Sequence, residues 1–150
     1  MNIEELEERL LEEGCKYFFI PPFRHEGVDS AQQMGVDVLE KINGVWTVYF
    51  TERGIRQPPV FESLSEEKAC EHYYKKITSS EHRHTVGVYE NENMAINLQE
   101  ELTRLEVYSH NSVGPPLKNG GPPLHFVSVV GKDIFKVREL YSDLPLKDYK

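Results

Sequence analysis

Glu52 and Arg53 close the run NGVWTVYFTERG, Asn43 to Gly54, and put a carboxylate beside a guanidinium. Such a pair suits acid–base work, the carboxylate taking a proton while the cation steadies the charge that develops. Joint action on one substrate atom needs both side chains on one side, whereas neighbours in a strand point to opposite faces. The pair therefore reads as a structural exit from the strand, with Arg53 pairing a helix carboxylate and Gly54 bending the chain. His82 and His84, one residue apart, can share a strand face and hold a metal for hydrolysis. A zinc site needs further ligands, and Glu81 and His72 join only if the fold brings them in. The other reading makes both histidines exposed residues of a polar loop over 78–84. Neither Cys15 nor Cys70 lies in a nucleophile motif, and no G-x-S-x-G occurs. Gly114, Gly120 and Gly121 do not spell a phosphate loop, because the GK[ST] ending is missing and proline removes backbone donors. No catalytic residue, metal or cofactor is expected, and the odds move from turnover towards binding.

The elements that must position these residues follow from periodicity. Asn2 with Glu5 starts a helix carrying Ile3, Leu6, Leu10 and Leu11 on one stripe, and Gly14 stops it. Residues 16–20 read as a strand ended by Pro21-Pro22, and 23–34 as a polar loop. Val36–Ile42 and Val45–Thr51 flank Asn43-Gly44, whose readiness for positive φ specifies a two-residue hairpin turn. That turn places Ile42 opposite Val45, Glu40 opposite Thr47 and Val38 opposite Tyr49. Trp46, Val48 and Phe50 then share one side as core. Val60-Phe61 adds a short strand, and Ser63 with Glu66 caps a helix running to about Ile77. Thr85–Tyr89 reads as a strand, Met94, Leu98, Leu102 and Leu105 as a helix stripe, and His125–Val130 as a strand. Asp133 begins a closing helix with Ile134, Val137 and Leu140. The repeated GPPL within Gly114–Leu124 sits in a segment of about nineteen residues, too long for an ordinary connection, and reads as a surface loop stiffened by polyproline geometry. The expected fold is α+β, a mainly antiparallel sheet with a central Asn-Gly hairpin covered by three to four helices. It forms one domain over 1–150, an αβββα half at 1–78 and a βαβα half at 84–150.

Composition bounds the partners. A chain of 150 residues, 39% hydrophobic and 11% aromatic, can bury a full core. Its apolar runs are too short to span a bilayer, its first residues are Glu-rich, and its two cysteines read as reduced thiols, so a cytoplasmic setting is expected. The net charge of −8 opposes nucleic acid and anionic membranes and favours a basic partner. Its glutamates crowd the helices, where solvated faces promoting solubility are the plainer explanation.

The segment LEKINGVWTVYFTERGIRQPPVFESLSEEKACEHYYKKI, Leu39 to Ile77, joins a W-x-V-Y-F-x-E-R-G hairpin, a short Phe-containing strand and a helix with E-x-A-C. It resembles small immunity proteins of bacterial polymorphic toxin systems of the contact-dependent inhibition type, and GGPPLHFVSVVGKDIFKV does so more loosely. The resemblance implies a cytosolic antitoxin that neutralises a cognate toxin by occlusion, and it carries over no catalytic residues. A basic nuclease-type toxin domain is the implied partner. The surfaces expected to meet it are Glu4, Glu8 and Glu12 on the first helix, Arg24 in the loop Pro21–Met34, Lys118 and Asn119 in the Gly114–Leu124 loop, and Tyr89 and Tyr108 as aromatic anchors. Two rivals stand beside it, a small metal-dependent hydrolase using His82 and His84, and a regulatory module binding a peptide or small ligand through the proline-rich loop.

Overall fold

The computed structural model describes every residue from Met1 to Lys150. The chain divides into two compact units, Met1–His82 and Arg83–Lys150, each with its own four-stranded sheet. Where one domain over 1–150 is expected, the division falls inside the connection between the halves ending at 78 and beginning at 84. The class is α+β, with five helices and mostly antiparallel sheets.

In Met1–His82 the elements run α1 (Ile3–Glu12), α2 (Val28–Met34), β1 (Val36–Ile42), β2 (Val45–Glu52), β3 (Ile55–Arg56), β4 (Phe61–Ser63) and α3 (Glu66–Thr78). Asn2 and Glu5 form a reciprocal capping box at the start of α1, and Gly14 ends that helix with φ +74°. Leu6 and Leu10 go into the core, whereas Leu11 stays exposed. β1 and β2 pair from Val36↔Thr51 to Ile42↔Val45, and the turn between them has φ +50° at Asn43 and +83° at Gly44. Alternation then sorts the side chains. Leu39 and Val48, with Trp46 against them, join Leu6, Leu10, Cys70 and Tyr73 in one core, while Val36, Val38 and Tyr49 meet Ala31 of α2 in another. The region 23–34 is thus not a loop throughout. Its C-terminal half is a helix that buries Val28 and Ala31, a signal too short for periodicity to resolve.

Arg53 and Gly54 form a second two-residue turn, with φ +51° and +79°, so that Glu52 pairs with Ile55. The chain then follows the outer edge of β2 through β3 and β4, and Pro58-Pro59 interrupts it there, which blunts that edge against further pairing. Helix α3 is capped two residues later than expected, at Ser65 rather than Ser63. Ser65 accepts from Lys68 N–H at 3.2 Å, while Ser63 closes β4 and accepts from Ser65 N–H.

In Arg83–Lys150 the elements are β5 (Arg83–Tyr89), α4 (Glu92–Arg104), β6 (Ser109–Gly114), β7 (Leu124–Val130), α5 (Asp133–Leu140) and β8 (Leu146–Lys147). The sheet order is β6-β7-β5-β8, with β7 antiparallel to both neighbours and β8 parallel to β5. The long connection expected before β7 contains β6, whose polar sequence SHNSVG hides an edge strand, so only 115–123 remain as a hairpin loop. Helix α4 buries Ala95, Leu98 and Leu102, while Met94 and Leu105 stay exposed. In α5, Ile134 and Val137 are buried and Leu140 is not. The register shifts between Thr85 and Gly87, and a Cβ on Gly87 would come within 2.7 Å of the Leu98 side chain, so helix and strand approach closely only at glycine. Asp148 accepts from the N–H groups of Glu90 (2.8 Å) and Asn91 (2.9 Å), fastening the last residues to the start of α4. No helix is long and apolar enough to cross a membrane.

Candidate functional site

Charge divides unequally between the units. Met1–His82 holds nine Lys and Arg against sixteen Asp and Glu, a net of −7, whereas Arg83–Lys150 holds eight against nine, a net of −1. Helix α1 concentrates the excess. With Leu6 and Leu10 turned inward, Glu4, Glu8 and Glu12 recur every fourth residue along one exposed face, beside exposed Glu5 and Glu13. Like charges at that spacing destabilise a helix by ~0.2–0.5 kcal/mol per pair, so this face is held at a cost to folding. Arg9, the cation of that helix, lies over the Tyr74 ring at 4.4 Å.

Of the other expected contact residues, Arg24 belongs to Met1–His82 and Tyr89, Tyr108, Lys118 and Asn119 to Arg83–Lys150. Arg24 is exposed and pairs with Asp29. Lys118 and Asn119 are exposed in the 115–123 loop, where Lys118 O accepts from Gly121 N–H at 3.0 Å. Tyr108 is 73% exposed and meets His110 edge-on. Tyr89 belongs to the core with Val86, Leu98 and Val127, because the close approach at Gly87 draws it under α4, and it is no anchor. Glu52 is the last residue of β2 and Arg53 the first of the turn that follows, so alternation of faces along a strand does not govern this pair. Arg53, Gly54, Asp29, Gln32 and Gln33 line an open depression of about 540 Å³. The helix carboxylate there, Asp29, is paired with Arg24 rather than with Arg53.

The densest polar construction lies around Lys16–Ile20, expected as a ladder strand. Only Phe19↔Val38 bridges to β1, and side chains take up the N–H groups of Lys16, Tyr17 and Phe19 and the carbonyl of Phe18. His82 Nδ1 accepts from the N–H groups of Lys16 (3.1 Å) and Tyr17 (3.2 Å), while its Nε2 donates to Ile77 O at 2.9 Å. His25 repeats the pattern, with Nδ1 accepting from Gly27 N–H at 3.1 Å and Nε2 donating to Phe18 O at 2.7 Å. The Tyr73 hydroxyl accepts from Phe19 N–H at 3.0 Å and donates to Asp37 O at 2.6 Å. These partners fix both histidines as neutral Nε2–H tautomers. Burial depresses both pKa values. The bonds to Phe18 O and Ile77 O oppose it, and Lys16 lowers His82 further.

His82 is therefore no exposed loop residue. It is 4% exposed, and neither ring nitrogen has a lone pair left for a metal or a substrate proton. No group of three or more His, Cys, Asp or Glu side chains is placed to hold a metal ion. Burial pushes both thiols up to about 11, with Glu13 adding to the effect at Cys15 and Glu66 at Cys70, which keeps them protonated and unreactive at neutral pH. Burial likewise raises Glu7 to about 7, and its Oε2 is enclosed without a partner. Sequence periodicity marked Tyr73 as apolar and could not show that its hydroxyl serves two strands. His25 carried no motif at all. Comparison with protein-family models, curated proteins and solved structures returned no match.

Proposed function

We propose that this chain is an immunity-type inhibitor that acts by binding, without turnover, in the cytoplasm, and that it occludes a basic partner of the nuclease-toxin class. The observation that carries this reading is the unequal charge, −7 on Met1–His82 against −1 on Arg83–Lys150, presented on the Glu4, Glu8, Glu12 face of α1. A nuclease needs a cationic surface to hold phosphates, and an acidic helix face can cover such a surface and speed its encounter by steering. The resemblance of Leu39–Ile77 to immunity proteins supports the same assignment, since that segment builds the scaffold beneath the acidic helix, with Cys70 and Tyr73 packed against Leu6 and Leu10.

The experiment is affinity capture from host lysate with tagged protein at low and then raised salt, beside the Glu4→Lys/Glu8→Lys/Glu12→Lys variant. Recovery of one basic protein that salt releases, and that the variant retains at least tenfold less, supports the reading. A blank at both salts, or equal capture by the variant, overturns it.

A further inference from the structure

We propose that His25 and His82 form an acid-sensitive latch on the segment Lys16–Gly27, holding it against the first unit's sheet while both rings are neutral and releasing it when they take up protons. The geometry carries this. Three backbone N–H groups, of Lys16, Tyr17 and Gly27, point at unprotonated Nδ1 atoms. A proton added at either Nδ1 would face those N–H groups head-on, so the bonds are lost together with the ion's solvation. The ladder cannot compensate, since the segment makes one bridge to β1. Release uncovers Phe18 and Ile20, both fully buried, and the side of α3 around Tyr73 that shares their core.

The charged groups around the rings act in both directions. Lys16 faces His82 and opposes a second cation, and the Tyr17 ring stacks on it at 5.6 Å. Phe18 stacks on His25 at 4.1 Å, and neighbouring Arg24 is neutralised by Asp29. Glu7 and Asp37 flank Tyr73, and burial raises both, with Lys76 opposing it at Asp37. They take up protons in the closed form as pH falls, so they favour closure and must be separated from the histidines by experiment. Because both histidines titrate lower closed than open, opening becomes easier as pH falls through the ordinary value of ~6.5 and levels off below the closed-state values. At pH 5.0 the ceiling is ~30-fold per histidine. The latch stands independently of the inhibitor reading.

The test is amide hydrogen exchange by NMR on the full chain at pH 7.5, 6.5 and 5.0, corrected for intrinsic rates. Val48 and Tyr49 in β2 serve as internal reference. We expect protection at Lys16, Tyr17 and Gly27 to fall tenfold or more relative to β2 by pH 5.0, and to stay level in a His25→Gln/His82→Gln variant. Unchanged protection, parallel loss in β2, or the same loss in the variant would overturn the latch. Should the variant not fold, ring nitrogen shifts of the wild type at pH 7.5 decide: Nε2–H at both rings supports it, and Nδ1–H at either sinks it.

Discussion

Removing one oxygen from Tyr73 should cost the first unit more than any surface change. The side chain is fully buried, and its hydroxyl is the shared partner of Phe19 N–H and Asp37 O, so it ties Lys16–Ile20 to β1 from the face of α3. Tyr73→Phe leaves the ring in place and creates almost no cavity, which isolates the polar term. Phe19 O keeps the Leu39 N–H at 3.2 Å, but Phe19 N–H loses its partner. A buried donor left unsatisfied costs ~1–3 kcal/mol, and the lost bond to Asp37 O adds ~1 kcal/mol, giving about 2–4 kcal/mol in all. That is a large share of a domain's ~5–15 kcal/mol. Urea unfolding followed by Trp46 fluorescence is the assay, because the single tryptophan packs against the core that contains Tyr73 and reports this unit. The midpoint should fall with the slope unchanged. Tyr74→Phe, at a half-buried residue whose ring carries Arg9, should stay within ~0.5 kcal/mol. A Tyr73→Phe loss below ~0.5 kcal/mol would refute the account of side chains standing in for a ladder.

Two further outcomes follow from the same unit. Glu7 has a folded pKa of about 7, above its ordinary 4.5, so the native state holds an extra proton between those values and stability declines as pH rises through that window. Glu7→Gln should therefore raise stability at pH 8 by on the order of 1–2 kcal/mol, discounted for partial exposure, and do little at pH 4.5, as read from Trp46 urea midpoints. Gly35→Ala should destabilise by ~2 kcal/mol or more, since φ is +100° and a Cβ would lie 2.6 Å from the Phe50 ring. Gly44→Ala, with φ +83° and open space, should cost only ~1 kcal/mol, and equal losses in calorimetry would remove the packing argument.

The fold was legible where one local rule dominates. Asn43-Gly44 dictates a turn and the turn dictates register, so the pairing from Val36 to Thr51 could be written from the sequence. Arg53-Gly54 obeys the same rule and was harder to see, because arginine rarely takes positive φ and the returning strand, Ile55–Arg56, is two residues long. β6 escaped for a different reason. An edge strand whose neighbours supply the apolar core needs no alternation of its own, and Ser109–Gly114 shows none. Lys16–Ile20 shows the opposite error. Its apolar content suits a strand, and alternation does divide Phe18 and Ile20 from Tyr17 and Phe19, yet its one hydrogen bond to a neighbouring strand is Leu39 N–H to Phe19 O, and His82, His25 and Tyr73 supply the other long-range partners.

That substitution explains why the candidate surface was only half readable. Acidic charge is a sum over residues, so the sequence could state its sign and place Glu4, Glu8 and Glu12 on one helical face. Which aromatics stand exposed depends on packing between distant segments, and Tyr89 went inside because Gly87 lets α4 approach. The histidines depended on it most. Separations of 65 and 66 residues join His82 to Tyr17 and Lys16, a pairing that no local spacing encodes. As neighbours in sequence, His82 and His84 offered a weak metal pair or, more plainly, two exposed loop residues. In the fold, His82 is spent on backbone amides, and its chemistry is that of a neutral acceptor whose usefulness ends when it gains a proton.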